Sequence, residues 1–155
     1  MPAKKKNPFN FRAQIALVDS LNLRIILGRL IKKEIDFKER YHYMKNSAGN
    51  QTISHNVDFL EIRAASILLF SLEKPQSVNK LRLKYTRTKN RGNRPDRNFR
   101  ASGSIIRYIV QELQKKGLLE QHLRGRYCTT RAKELIRTSI IEAIKTTEKL
   151  KVKLY

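Results

Sequence analysis

The sequence predicts a mainly α-helical, winged-helix-like domain with a short β-hairpin wing. Several stretches repeat apolar residues every three or four positions, which is typical of helices with one buried face. A further stretch, LLEQHLRGRYCT, reads as two short strands around a turn at Arg124–Gly125. The length of 155 residues suits one domain with a single hydrophobic core.

The first helix is predicted to begin near Asp19 or Ser20, either of which can cap it. Its apolar face carries Leu23, Ile26, Leu27, Leu30 and Ile31. The preceding residues, 1–11, are expected to form a basic tail that contains Lys4, Lys5 and Lys6. After this helix, FKERYHYMK is expected to be a shorter packed segment and NSAGNQTISHN a polar loop.

A second helix is predicted over EIRAASILLFSLEK, and it ends before Pro75 because the residue before a proline disfavours helical dihedral angles. Its expected core stripe is Ala65, Leu68, Leu69 and Leu72. Arg63 and Ser66 lie one turn apart and off that stripe. The next segment, QSVNKLRLKY, is predicted to form one or two helical turns.

Ser102 is predicted to cap a third helix, GSIIRYIVQELQKK, before Gly117. Its expected buried face is Ile106, Ile109, Val110 and Leu113. Thr129 or Thr130 is predicted to cap a final long helix after the hairpin. That helix carries Ala132, Leu135, Ile136, Ile140, Ala143 and Ile144. This order of elements is typical of a winged-helix domain over residues 12–150, with a basic loop at 84–101 and a basic end at 151–155.

The charge balance points to a polyanionic partner. Lys and Arg number 34 against 13 Asp and Glu, so the formal net charge is +21. Self-repulsion of this size destabilises a compact chain unless an anion neutralises it. Nucleic acid is the first candidate and an anionic membrane surface the second. The apolar runs are too short to span a bilayer, and no apolar segment of a secretory signal follows the basic N-terminus.

Catalysis and metal binding are not expected. His42, His55 and His122 do not share metal-ligand spacing with one another or with Cys128, and the carboxylates are scattered singly. No nucleotide-binding glycine motif or serine-nucleophile motif is present, so neither a cofactor nor a small-molecule substrate is predicted. The single cysteine excludes an intramolecular disulfide and fits a reducing compartment.

The run TRTKNRGNRPDRNFR, residues 86–100, is the main candidate for phosphate binding. Asp96 is its only acidic residue and Phe99 its only large apolar one. Its cations are Arg87, Lys89, Arg91, Arg94, Arg97 and Arg100. The planar fork of Arg binds phosphate through paired hydrogen bonds. Because the run has little apolar surface, we expect a loop that becomes ordered only on phosphates.

Other cations are expected to extend this surface. Arg63 and Arg107 lie on helices, whereas Arg124 and Arg126 lie on the hairpin. Lys4, Lys5 and Lys6 form a candidate arm that adds affinity through counterion release. Arg107, Gln111 and Gln114 could instead form the base-reading face of a DNA-binding winged helix. The spread of charge over the tail, loop, wing and C-terminus favours folded RNA over DNA, and an RNA-cleaving enzyme is the weakest alternative.

Four segments of the chain, FLEIRAAS, RGNRP, SIIRYIVQELQKKGLLEQ and GRYCTTRAKEL, carry motifs in a fixed order and spacing. Together they resemble the ribosomal protein S19e family of the small subunit in eukaryotes and archaea. FLEIRAAS is similar to its aromatic-x-x-x-R-A-A-S motif, and RGNRP with Phe99 and Ser104 is similar to its basic R-N-G-x-x-P loop. SIIRYIVQELQKKGLLEQ resembles its next helix and strand, and GRYCTTRAKEL its wing and final helix. The resemblance covers about residues 59–136. It is loose in the first helix and poor over 40–56, and Thr130 and Ala132 replace the family's usual Pro and Gly.

The resemblance implies a helical, non-catalytic protein of the small-subunit head. It implies contacts with rRNA of the 3′ domain and with neighbouring small-subunit proteins, and a need for the protein in maturation of that rRNA. The implied location is the cytoplasmic ribosome, with a nucleolar stage of assembly if the source is eukaryotic. By motif match, Arg63, Arg91 and Arg107 correspond to the family's functional surface.

Overall fold

A computed structural model describes residues 11–153 of the protein, with side chains described for residues 11–146. The helices are α1 (Phe11–Ala16), α2 (Ser20–Glu34), α3 (Phe59–Glu73), α4 (Val78–Lys84), α5 (Gly103–Lys115) and α6 (Thr130–Lys153), with a 3₁₀ turn at Glu39–Tyr41. The strands are β1 (Arg87–Arg91), β2 (Arg94–Phe99), β3 (Leu119–His122) and β4 (Gly125–Cys128). The mainly α, winged-helix-like class is confirmed. The predicted arm of Lys4, Lys5 and Lys6 lies outside the described residues.

The core forms where α2 packs on α3 and on α6. Leu23, Leu27 and Ile31 of α2 are completely buried, as the helical spacing predicts. Gly28 allows a close approach of α2 to α3, because a Cβ there would lie 3.3 Å from the backbone carbonyl carbon of Glu61. The start of α2 is fixed by Asp19, whose carboxylate accepts a hydrogen bond from the Leu21 N–H at 3.2 Å.

The predicted core stripe of α3 is only half right. Ala65 and Leu68 are fully buried, but Leu69 and Leu72 are partly buried at the edge of the core. Leu60, Ala64 and Ile67 are fully buried as well. The physical reason is that α3 packs against α2, α5, α6 and β4 on different sides, so apolar residues around most of its circumference meet a neighbour.

The faces of α5 and α6 agree with the sequence pattern. The four predicted residues of α5 are buried, and Ile105 and Tyr108 join them. In α6, Ala132, Ile136, Ile140 and Ala143 are buried, whereas Leu135 and Ile144 are partly buried. Thr129 caps α6, because its hydroxyl oxygen accepts a hydrogen bond from the Ala132 N–H at 3.3 Å.

The β3–β4 wing is present, but its turn lies one residue earlier than predicted, at Leu123–Arg124. Gly125 is already in β4, paired with His122. Its φ of +134° suits only glycine, and a Cβ would lie 2.9 Å from the Gln76 carbonyl oxygen. This close approach lets Gln76 and Arg126 exchange backbone hydrogen bonds of 3.0 and 2.9 Å, which join the wing to the segment before α4.

The predicted basic loop is wrong, because residues 87–99 form an antiparallel β-hairpin, β1–β2. Gly92 makes the turn with φ of +68°, and its N–H donates to Asn90 Oδ1 at 2.8 Å. The end of β2 is held by tertiary contacts, since the Ser47 hydroxyl donates to the Arg100 carbonyl at 3.1 Å. Apolar content did not predict this structure, because the segment is ordered by backbone pairing between its strands and by the anchor at its base.

Among the described residues, no helix is long and apolar enough to cross a membrane. The same part of the chain holds no group of three or more His, Cys, Asp or Glu side chains placed to bind a metal.

Cys128 gives the fold a pH dependence in the alkaline range. Burial raises the pKa of this thiol to about 11, with Lys133 opposing the change. Above pH 9 the unfolded chain loses the thiol proton while the folded chain keeps it, so the free energy of unfolding falls as the pH rises. Between pH 9 and 11 the wild type should lose about 2 kcal/mol more stability than Cys128→Ala, measured by urea unfolding. Parallel pH profiles of the two proteins would contradict this assignment.

Candidate nucleic-acid interface

The β1–β2 hairpin presents the densest positive charge of the described chain. Arg87, Arg91, Arg94, Arg97 and Arg100 are exposed and Lys89 is half-buried. The strand register places Lys89 opposite Arg97 and Arg91 opposite Arg94. Like charges that face each other across strands are destabilising. Within the described residues none of these cations has an ion-pair partner, so the hairpin is suited to an external anion.

The hairpin has a defined shape despite this repulsion. The Thr88 hydroxyl donates to Asn98 Oδ1 at 2.6 Å across the strands. The pairing is irregular between Lys89 and Arg91, which marks a β-bulge. A bulge bends and twists a strand, so the cations around it are not confined to two flat faces. The arginines are therefore displayed on a framework that exists before any partner binds.

Arg63 is held on the side of α3 between two aromatic rings. Its guanidinium carbon lies 3.7 Å from the centre of the Tyr85 ring and 4.9 Å from that of Phe59. Tyr85 is fixed in turn, because its hydroxyl donates to the Ser66 Oγ at 2.8 Å. These contacts immobilise a cation that sequence reasoning left undecided between a solvent-facing side chain and a rigid contact.

Burial and neighbouring cations make this arginine a site of unbalanced charge. Burial lowers the pKa of Arg63, with Tyr85 opposing the change and Arg87 and Arg24 adding to it. Arg24 Nε is itself buried, and it finds no hydrogen-bond partner in the described part of the chain. Arg63 thus shares one cleft with Arg87 and another with Arg24, and no carboxylate of the described residues acts on it. A phosphate would neutralise this arrangement.

Arg24 was missed by sequence reasoning. It lies on α2, 39 positions before Arg63, and nothing in the helical pattern of α2 distinguishes it from a solvent-facing cation. Only the packing of α2 on α3 brings the two side chains to one place. Lys84 of α4 was also missed, because its ammonium nitrogen meets the Phe70 ring of α3, 3.1 Å from the ring centre, only in the folded chain.

The remaining predicted residues lie on α5 and the wing. Arg107 and Gln111 are exposed one turn apart on α5. Arg126 is joined to the same helix, because its Nε donates to Gln114 Oε1 at 3.4 Å. Arg124 is exposed in the wing turn beside Leu123, which is fully exposed. The structure thus places Arg63 near Arg87. It joins Arg126 to α5, whereas Arg124 lies at the exposed tip of the wing.

Comparison with known proteins identifies the family. Residues 26–146 match the family described as ribosomal protein S19e. The chain belongs to this family. The match extends N-terminally beyond the motif-bearing segment and takes in most of α2.

Three S19e relatives, each named small ribosomal subunit protein eS19, show how far the similarity extends. The protein of Aeropyrum pernix is 32% identical over 130 residues, or 76% of this chain and 83% of the relative. That of Emericella nidulans is 39% identical over 79 residues, 50% of this chain and 53% of the relative. That of Candida albicans is 43% identical over 84 residues, 53% of this chain and 58% of the relative. The chain therefore spans about half the length of the two fungal relatives.

Arg63 offers a direct test of this interface. Arg63→Met keeps the length and the ring contacts but removes the charge, so RNA affinity should fall about tenfold through loss of one charge-assisted contact. Arg63→Lys should restore only part of the loss, since an ammonium lacks the planar fork. Filter binding to structured RNA measures both variants, and far-ultraviolet circular dichroism checks that the helices remain. Unchanged affinity in Arg63→Met would remove Arg63 from the interface.

Proposed function

We propose that this chain is a structural constituent of the small ribosomal subunit that binds rRNA of the subunit head, in the 3′ domain. The observation that carries the proposal is the set of arginines on the β1–β2 hairpin and beside Tyr85, which have no ion-pair partner among the described residues. The names of the S19e relatives support the choice of the small subunit. The proposed role includes support of rRNA maturation and contact with neighbouring small-subunit proteins. It involves no catalytic activity and no cofactor.

Binding is proposed to combine electrostatic capture with a rigid scaffold. The hairpin backbone is already paired, so less conformational entropy is lost on binding than for an unordered loop. Its arginines take phosphates, while Arg63 provides a fixed cation at the base of the hairpin. Arg107, Arg124 and Arg126 offer a second contact area on α5 and the wing. Cations spread over separate elements suit a partner that surrounds the protein, as folded RNA does.

A DNA-binding regulator is the competing function for a winged-helix-like domain. Its base-reading face would be α5, where Arg107, Gln111 and Gln114 are the polar candidates. The cationic hairpin, however, ends at Phe99, only four positions before α5 begins. The densest charge therefore lies beside the start of α5 rather than along it, which favours the RNA role.

Sucrose-gradient sedimentation of a cell lysate separates the two functions. In the source cells, the chain should migrate with small ribosomal subunits and remain there after a high-salt wash. Depletion of the chain should cause precursors of small-subunit rRNA to accumulate. A chromatin-bound pool without subunit association would instead establish the DNA-binding role. Fluorescence microscopy of the tagged chain tests localisation: the proposal predicts cytoplasmic ribosomes, and a nucleolar pool during assembly if the source is eukaryotic.

A further inference from the structure

A cleft of about 530 Å³ lies between the polar segment 46–55 and the base of the β1–β2 hairpin. This size is within the roughly 300–1,000 Å³ range of small-ligand sites. One side is formed by the amide and hydroxyl residues Asn46, Ser47, Asn50, Gln51, Thr52 and Ser54. The other side is formed by Phe59, Arg63, Tyr85, Arg87 and Thr88. None of the described residues that line it carries a carboxylate.

The polar wall of the cleft is fixed by its contacts with residues 99–102. The Ser102 N–H donates to the Asn46 carbonyl at 2.7 Å, and Ser47 pairs with Ala101 in an isolated bridge. Gly49 lies against Phe99, where a Cβ would approach the Phe99 Cβ to 3.3 Å. The polar segment is therefore docked on the end of the hairpin. A ligand would meet a largely preformed site rather than a mobile loop.

The amide wall of the cleft offers hydrogen-bond acceptors that a phosphate alone cannot use. Asn46, Asn50 and Gln51 line the cleft, and each side-chain amide carries a carbonyl oxygen beside its NH₂ group. Phosphate and carboxylate groups accept hydrogen bonds but do not donate them at neutral pH. An amino group of a base or the 2′-hydroxyl of a ribose does donate. Arg63 and Arg87 on the opposite wall supply the cations that a linked phosphate needs.

We propose that this cleft takes one unstacked nucleotide of an RNA, with its phosphate toward Arg63 and Arg87 and its base or ribose toward the amide wall that includes Asn50 and Gln51. The inference rests on the proposed function and deepens it, because it specifies a bulged or single-stranded nucleotide rather than a duplex. A paired base is stacked and occupied on its pairing edge, so it cannot enter a cleft of this kind. A carboxylate from a protein neighbour is the competing occupant, but it would use only the donors of the amide wall and none of its acceptors.

Two RNA hairpins test the inference and differ only opposite one fluorescent purine analogue, which is bulged in the first hairpin and paired with a pyrimidine in the second. The wild type should bind the bulged hairpin about tenfold more tightly and change the emission of the analogue. Asn50→Ala should remove this preference without changing affinity for the paired hairpin. Gln51→Ala, at an exposed residue of the same wall, provides a second variant. Gln121→Ala, an exposed amide on β3, is the matched control and should leave both affinities unchanged.

The outcomes distinguish this inference from the proposed function. Equal affinity of the wild type for the two hairpins would overturn the nucleotide site while RNA binding stands. A preference for the bulge that survives both Asn50→Ala and Gln51→Ala would place the nucleotide elsewhere and overturn the assignment. Competition by oligoglutamate that Asn50→Ala abolishes, with no bulge preference, would identify a carboxylate site and also overturn it. Failure to bind either hairpin would overturn RNA binding itself.

Discussion

Changing Arg91, Arg94 and Arg97 together to Ala should produce the largest loss of RNA affinity without unfolding the protein. All three side chains are exposed, and they make no ion pair within the described chain. Each cation that neutralises a phosphate contributes about one unit to the slope of log affinity against log salt concentration. The triple variant should therefore show a slope smaller by about 3. Fluorescence anisotropy with a structured RNA at several salt concentrations measures it.

The matched control keeps the charge and changes only its geometry. A triple Lys variant at the same positions should retain most of the salt slope, because the number of cations is unchanged. It should lose part of the affinity, since Lys cannot form the paired hydrogen bonds of Arg with phosphate. The hairpin assignment is wrong if the Ala variant keeps the wild-type slope. Loss of helicity in the Ala variant would show that these arginines stabilise the fold.

Ile109→Ala on α5 should cause a large loss of stability. Ile109 is completely buried, and α5 packs against α3, α4 and β3. Removing a buried aliphatic side chain loses its transfer free energy and leaves a cavity. The expected decrease in the free energy of unfolding is about 2–5 kcal/mol, measured by urea or thermal unfolding.

Leu69→Ala on α3 is the matched comparison, since it removes an aliphatic side chain from a partly buried position. It should cost only about 1 kcal/mol, because solvent and flexible neighbours occupy part of the space left behind. Equal effects of the two substitutions would mean that the buried faces of α3 and α5 are misassigned. RNA affinity at a temperature where both variants remain folded should be unchanged, since neither side chain reaches the cationic surface.

The order of helices and the wing could be predicted from the sequence because each depends on local chemistry. Periodic apolar residues predict α2, α5 and α6, and short polar side chains at Asp19 and Thr129 mark two helix starts. The concentration of arginine in residues 86–100 likewise identifies the candidate interface without any structure. The motif resemblance led to the S19e family, which the match over residues 26–146 confirms.

The arrangement of the candidate site could not be predicted, because its parts come from distant segments. Arg24 and Arg87 come near Arg63 only after α2 packs on α3 and Tyr85 is fixed at the end of α4. The polar segment 46–55 has no periodicity of its own, and its docking on residues 99–102 creates the cleft. The hairpin itself was mistaken for a loop, because its order depends on strand pairing and on an anchor at Ser47.

By itself, the sequence determined the net charge and the segment that carries the arginines, since both follow from composition. It also determined the mainly helical fold class and the order of the helices and the wing, since these follow from spacing along the chain. Only the tertiary structure decided that the arginine segment is a hairpin, which faces of α3 are buried, and which cations meet. The physical reason is that helix periodicity is a local property, whereas strand pairing, burial from several sides and the convergence of charges depend on contacts between segments far apart in the chain.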